Sequence, residues 1–380
     1  MKKSIFLILI GLSGLTAAQI PTGYYDQASG LTGASLKSKL SQIITNGHRD
    51  MGYGSGSTGL WNAYRTTDRD KYYEKDNTVL DMYSENPAQN EVPGTSNDPY
   101  EFTIGQSSAG GDQCGSTNQN VEGFCYNREH SLPKSFFGGQ NAVPMANDAN
   151  FVIPTDYYVN SRRGNLNYGE VGTASQTFLN GTKIGISKTP GFFGTVFEPI
   201  NEYKGDMARM HLYFITRYEN RLSEFYSLNV SGNPFDGGTF PGFQSWYINM
   251  LLRWAAQDPV SQKEIDRNNA VYTYQGNRNP FIDHPEWVTS VWGPALAVDD
   301  ASFSKNLSIA PNPVKGNTIA VTGDRDLKQF KKAMIYNMVG QNVQTIENPF
   351  QNGNTIRLNN LPKGIYILKT GELNTKFIVD

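Results

Sequence analysis

The chain offers little for thiol or imidazole chemistry. Its 380 residues include two cysteines and four histidines. No HExxH pair occurs and the spare histidines never fall at ligand spacing, which excludes a zinc protease. There is no GxSxG elbow and no Walker-type phosphate loop, so a serine-hydrolase nucleophile and a P-loop cradle are excluded as well. Charge of one sign is also missing. The 33 Lys and Arg face 35 Asp and Glu, a net charge of −2. No global basic excess advertises a polyanionic partner, so any grip on nucleic acid must be local. Beyond the N-terminus no stretch is long and apolar enough to cross a bilayer, and no internal repeat stands out.

What is present begins with "MKKSIFLILIGLSGLTAAQIP": two lysines, an apolar run and small residues. That is the pattern of a secretory signal peptide, expected over residues 1–18 with cleavage after Ala18. Its loss removes Lys2 and Lys3 and leaves 31 basic and 35 acidic residues, net −4. In an exported chain, Cys114 and Cys125 are expected to form one disulfide, just before the motif that carries the chemistry. Frequent Gly, Tyr, Phe and Asn suit a loop-rich globular protein.

Periodicity divides the rest. Leu36, Leu40, Ile43 and Ile44 form one helical face. Residues 50–112 read as irregular loops around short elements. "GDMARMHLYFITRYENRL" reads as a helix after an N-capping Asp206, and "FQSWYINMLLRWAAQ" as another. Ser261 and Glu264 have capping-box spacing before a third, which "GNRNPFIDHP" ends. Composition shifts near residue 294, where "PALAVDDASFSKN" reads as a linker. Short alternating runs follow, including "NTIAVTG" and "GIYILKT". The expected class is α+β: a mixed domain over 19–293, a linker over 294–305, and a small all-β sandwich over 306–380.

The chemistry centres on "CYNREHSLPKSFFGG", residues 125–139. His130 is a suitable general base near neutral pH, and Glu129 is a hard oxygen donor for Mg²⁺ or Ca²⁺. Neighbours on a regular strand face opposite ways, so convergence of the pair requires a turn or a distorted strand end. The dipeptide alone also fits a solvated glutamate beside a half-buried histidine. "NDANFVIPTDYYVNSRRGNLNYGEV" adds Asn160, a further hard ligand, and Arg162 and Arg163, which suit phosphate oxygens. Together these are the parts for metal-assisted phosphodiester hydrolysis.

In this order, "NREHSLPKSFFG", "IPTDYYVNSRRGN", "KGDMARMHLYFITRY" and "RNNAVYTYQGNRNPFIDHPEW" resemble the endonuclease I family over about residues 20–293. These are secreted or periplasmic non-specific nucleases of the ββα-metal (His-Me finger) type. The resemblance implies two strands with His130 as general base, a long loop, and a helix carrying Asn160. Glu129 and Asn160 would bind Mg²⁺, with Ca²⁺ or Mn²⁺ as substitutes and water completing the shell. Products would carry 5′-phosphate and 3′-hydroxyl ends. Two departures stand out. Ala149-Asn150 replaces a histidine-containing pair, and no arginine lies between Arg128 and Arg162. Arg163 is assigned beside His130 to the catalytic centre, and Arg128, Arg162 and Arg209 to phosphate or nucleic-acid contacts. For Arg209 a structural ion pair is the competing reading. The tail, with "LSIAPNPVKGN", "LPKGIYILK" and "TKFIVD", resembles the sorting domain of the type IX secretion system.

The resulting expectation is a secreted, Mg²⁺-dependent, monomeric endonuclease acting on DNA, with RNA as a second candidate substrate, engaging the type IX machinery without stable membrane insertion. Alternatives are a catalytically inactive nucleic-acid-binding or adhesin module, and a phosphodiesterase for small or lipid-linked phosphates. His48 is expected to cap a helix, His211 to sit in the core and His284 to fix a turn. Arg267, Asn277 and Arg278 are expected to pin loops.

Overall fold

Thirteen residues, Gly33–Thr45, form helix α1, in which Leu36, Leu40 and Ile44 are fully buried as their spacing requires. Each such side chain contributes roughly 1.5–3 kcal/mol of transfer free energy, which outweighs the weak propensity of a Ser- and Lys-rich segment. The computed structural model describes residues 20–85, 87, 100–114, 120–141, 143–296, 307–323, 326–337, 342–371 and 373–379. The leader lies outside these residues, as does most of the linker. Helix α2 (Leu60–Thr67) stands within the segment read as loops.

The element that positions the site is short. Strand β1 (Tyr126–His130) pairs antiparallel with β2 (Val152–Asp156), with Glu129 opposite Ile153 and His130 opposite Val152. Helix α3 (Tyr157–Arg163) follows β2 without a break, because the Asp156 side chain accepts the Val159 N–H as an N-cap. The connection between β1 and β2 is anchored from inside. Phe137 and Phe151 pack on Phe214, with ring centroids 5.5 and 5.0 Å apart. Buried Asp148 accepts from the Tyr213 and Tyr218 hydroxyls and from the Gln275 amide at 2.7, 2.8 and 2.6 Å.

A three-stranded antiparallel sheet comes next: β3 (Val171–Thr177), β4 (Lys183–Ser187) and β5 (Thr195–Glu198). Six helices follow: α4 (Lys204–Arg217), α5 (Leu222–Ser227), α6 (Ser245–Gln257), α7 (Gln262–Gln275), α8 (Pro280–Asp283) and α9 (Glu286–Leu296). Helix α4 is buried along nearly its whole length and packs on α1 and α6. It starts at Lys204, so Asp206 is not its N-cap; the carboxylate lies inside the first turn and pairs with Lys263. The Ser261–Glu264 capping box is present, and Gly276 ends α7 in the left-handed conformation at φ +86°. Helix α9 runs to Leu296, past the boundary expected at residue 293.

The tail is a two-sheet β domain with its own core. Strands β6 (Leu307–Ala310), β7 (Thr318–Gly323), β8 (Lys332–Asn337), β9 (Asn342–Glu347), β10 (Thr355–Arg357), β11 (Gly364–Thr370) and β12 (Leu373–Val379) form sheets ordered β10-β7-β6 and β12-β11-β8-β9. Ile319, Val321, Ile335, Leu368 and Phe377 are fully buried between them, the inward half of each alternation. The α+β class and the all-β tail thus follow the sequence patterns. Among the described residues, no helix is long and apolar enough to cross a membrane.

Candidate active site

Strand β1 ends at the residues that carry the chemistry. Glu129 and His130 are both buried, 5% and 6% exposed, although adjacent strand positions should face opposite ways. The strand stops at His130, so both side chains are enclosed from different sides. Glu129 Oε1 accepts the Tyr83 hydroxyl at 2.8 Å and pairs with Arg163 Nη1. The same Arg163 Nη1 donates to the His130 carbonyl (3.0 Å), while Nη2 donates to the Ser131 carbonyl (2.6 Å) and Nε to the Leu166 carbonyl (3.2 Å). Burial pushes the Glu129 carboxyl above its ordinary value, and the Arg163 guanidinium and Tyr83 hydroxyl oppose that.

The His130 ring is oriented by one hydrogen bond. Nε2 lies 3.1 Å from the Ala146 carbonyl oxygen. A carbonyl only accepts, so Nε2 carries the proton and Nδ1 keeps the free lone pair of a base. The ring stacks on Tyr53 with centroids 5.9 Å apart and planes 18° from parallel, and Phe137 and Phe151 border it. Burial first, then the nearby Lys134 charge, lower its pKa to about 3, so the imidazole is neutral.

Helix α3 is tied to β1 at two successive points. Asn160 Nδ2 donates to Asn127 Oδ1 at 2.8 Å and to the Arg128 carbonyl at 3.4 Å. One turn later Arg163 reaches Glu129 and the His130 carbonyl. Commitment of the amide nitrogen leaves the Asn160 oxygen as the group able to ligate. The donors that β1 and α3 offer are therefore a carboxylate oxygen and an amide oxygen, both hard. Among the described residues no group of three or more His, Cys, Asp or Glu is arranged to hold a metal. A two-donor set fits a cation such as Mg²⁺, which keeps several waters and takes oxygens from substrate.

The expected arginines part company here. Arg162 is exposed, its guanidinium 4.8 Å from the Tyr158 ring centroid. Arg128 donates to the Tyr53 and Gly54 carbonyls at 2.7 and 2.9 Å and lies 3.5 Å from the Tyr53 ring centroid. Arg163 is 1% exposed, so the expected direct catalytic role gives way to holding Glu129 and the end of β1. Arg209 is also 1% exposed and carries an ion pair in place of a phosphate contact: Nε and Nη2 donate to Glu264 at 2.5 and 2.8 Å. A guanidinium so enclosed would leave a buried carboxylate unpaired if it turned outward.

Cys114 and Cys125 are bridged, and the Cys125 carbonyl accepts from Tyr157 N at the start of α3. His211 is buried against the Tyr247 hydroxyl, and His284 stacks on Trp287. Arg267 pairs with Asp68 and Arg278 with Asp283, pinning loops. Ala149 donates its N–H to Gln275 and Asn150 donates to Asn277. Tyr53, Tyr83, Asn127 and Lys134 were missed by sequence reasoning. Asn127 and Lys134 had a signal, since both lie inside the quoted "NREHSLPKSFFG". Tyr83 meets Glu129 across 46 positions of chain, a proximity set by the fold.

The chain matches the model of the Endonuclease I family over residues 32–286 and that of the secretion system C-terminal sorting domain over 308–380. It is similar to the extracellular ribonuclease of Bacillus amyloliquefaciens, 33% identical over 272 residues that cover 71% of this chain and 78% of the relative. The extracellular ribonuclease of Bacillus subtilis (strain 168) is 33% identical over 273 residues, with 71% and 78% covered. Endonuclease I nucleases typically depend on a divalent metal. The tail marks the chain for export by type IX secretion. The chain belongs to the Endonuclease I family and is a secreted nuclease, a phosphodiester hydrolase that carries its own sorting domain.

Proposed function

We propose that this nuclease cleaves DNA and RNA with little sequence preference, with His130 as general base and Mg²⁺ held by Glu129 and Asn160. One observation carries the reading: the Nε2 contact with the Ala146 carbonyl leaves Nδ1 of a neutral His130 as the proton acceptor. Nδ1 takes a proton from the attacking water, and the Ala146 carbonyl stabilises the imidazolium that forms. A bound Mg²⁺ supplies neutralisation of the phosphate and of the leaving oxygen. Arg163 opposes the effect of burial on Glu129 and keeps it aimed, and the bond from Asn160 to Asn127 keeps the amide oxygen turned to the site. A water nucleophile needs no 2′-hydroxyl, so DNA and RNA are both substrates. The names of the two relatives support RNA as one of them. Products carry 5′-phosphate and 3′-hydroxyl ends.

The test incubates the purified chain with supercoiled plasmid and with a structured RNA, in Mg²⁺, in EDTA, and as His130→Ala in Mg²⁺. Cleavage is expected in the first tube, and at least about 100-fold less with the variant, the usual scale for a positioned base. A variant with near wild-type rate removes His130 from the mechanism. Intact substrates in all tubes, with protein folded by circular dichroism, would instead favour a nucleic-acid-binding module.

A further inference from the structure

We infer that the cation gripping the scissile phosphate beside His130 is Lys134, an assignment that rests on the proposed nuclease site and deepens it. Lys134 begins a 3₁₀ turn directly after Pro133, and Ser131, Leu132 and Pro133 between it and the base are all buried. Its backbone is thereby fixed relative to the His130 ring. Its Nζ lies 5.3 Å from the centroid of Tyr53, the ring that stacks on His130. Arg128 lies over the same ring at 3.5 Å. Two positive groups thus share one aromatic ring beside the base.

Their partners distinguish them from the other buried cations. Arg163, Arg209, Arg267 and Arg278 each pair with a carboxylate. Arg128 is held by two backbone carbonyls, and Lys134 by the neutral Asn141 amide oxygen at 2.5 Å. Among the described ion pairs no carboxylate neutralises either one. Burial and the Arg128 charge both hold the Lys134 ammonium below the ordinary lysine range. An arriving anion relieves that repulsion, and a phosphodiester is the anion this site handles. The two groups divide the work. Arg128 has its Nη1 tied to two backbone carbonyls and supplies fixed charge. Lys134 is a point charge on a flexible stem and can follow the phosphate as it becomes pentacoordinate. It also fills the gap between Arg128 and Arg162, where the sequence has no arginine.

The experiment compares wild type, Lys134→Met, Lys134→Arg and Lys39→Met in the full chain. Lys39 is a half-buried lysine on α1, bonded to Gln42, that controls for net charge. Cleavage is measured on plasmid and on the p-nitrophenyl ester of thymidine 5′-phosphate, a substrate with one diester. Binding of a short fluorescent duplex is measured against salt in EDTA. Lys134→Met is expected to lower kcat about 100-fold on both substrates, the scale for losing one preorganised donor. The Mg²⁺ midpoint should stay unchanged, with Lys134→Arg restoring most of the rate and Lys39→Met matching wild type. The log–log salt slope of binding should fall by about one. Lys134→Met within about threefold of wild type, a shifted Mg²⁺ midpoint, or an unchanged salt slope each overturns the assignment. If wild type cleaves nothing, the nuclease mechanism fails, and the salt slope in EDTA still decides for or against Lys134.

Discussion

Replacing Arg163 by methionine separates the two roles an arginine of the "NSRRGN" motif can have. If it touched substrate, Arg163→Met would lose activity and keep stability. The structure predicts that stability goes first. The guanidinium satisfies Glu129 and three backbone carbonyls in a place without water access. Methionine fills part of the volume and leaves the carboxylate unpaired. Removing one partner of such a buried pair costs about 3–5 kcal/mol. At roughly 2–4 °C per kcal/mol for a domain this large, the melting temperature should fall by about 6–20 °C. The assay is thermal unfolding in EDTA, so that no metal replaces the lost cation. The deficit should also depend on pH in a set direction. Without Arg163, burial raises the Glu129 pKa further, opposed only by the Tyr83 hydroxyl and the His130 N–H, so the folded variant holds a proton more readily than the unfolded chain. Stability then recovers as pH falls from 8 toward 5. An Arg163→Met protein within about 0.5 kcal/mol of wild type yet inactive would refute the positioning role.

Asn160→Ala should raise the Mg²⁺ concentration needed for half-maximal cleavage by about tenfold or more, and an unchanged metal titration would sink its ligand role. His211 gives a clean pH prediction, because burial first and the Arg163 charge second lower its pKa to about 3. The unfolded histidine protonates near 6.5, so folding loses stability as pH falls through 6.5 toward 3. Between pH 7 and pH 5 this amounts to about 2 kcal/mol. His211→Gln should shrink the acid loss seen in urea unfolding by about that amount, and an identical pH slope would exclude His211 as its source.

Local patterns carried most of the finger into view. The apolar stripe of α1, the capping box of α7 and the alternation of the tail strands were legible because each is set by neighbours within a few positions. The order of Glu129, His130 and Asn160 was legible as a motif, but their convergence was not. It depends on β1 ending at His130 and on two bonds from α3 to β1. Asp206 was misread as a cap because an acidic residue near a helix start looks the same whether it caps the helix or pairs with Lys263 across the fold. The ion pairs of Arg163 and Arg209 were hidden for the same reason: a sequence gives a guanidinium its charge but not its partner.

That distinction bears on how an acidic protein handles a polyanion. With net charge −2, or −4 without the leader, no global positive charge draws nucleic acid in, and most arginines near the core are spent internally on Glu129, Asp68, Glu264 and Asp283. Such pairs are fully desolvated and cannot be recruited by substrate without several kcal/mol of loss. The cations left over for phosphate are those without carboxylate partners, and at the finger these are Arg128, Lys134 and the exposed Arg162. On that proposal three phosphate contacts would lose roughly 40-fold in affinity between 50 and 200 mM salt, against about 10³–10⁵ for a protein contacting six to ten phosphates. Loose ground-state binding also suits turnover. Charge concentrated at the scissile phosphate acts where the transition state gathers its negative charge, while a broad basic surface would hold substrate and product equally well.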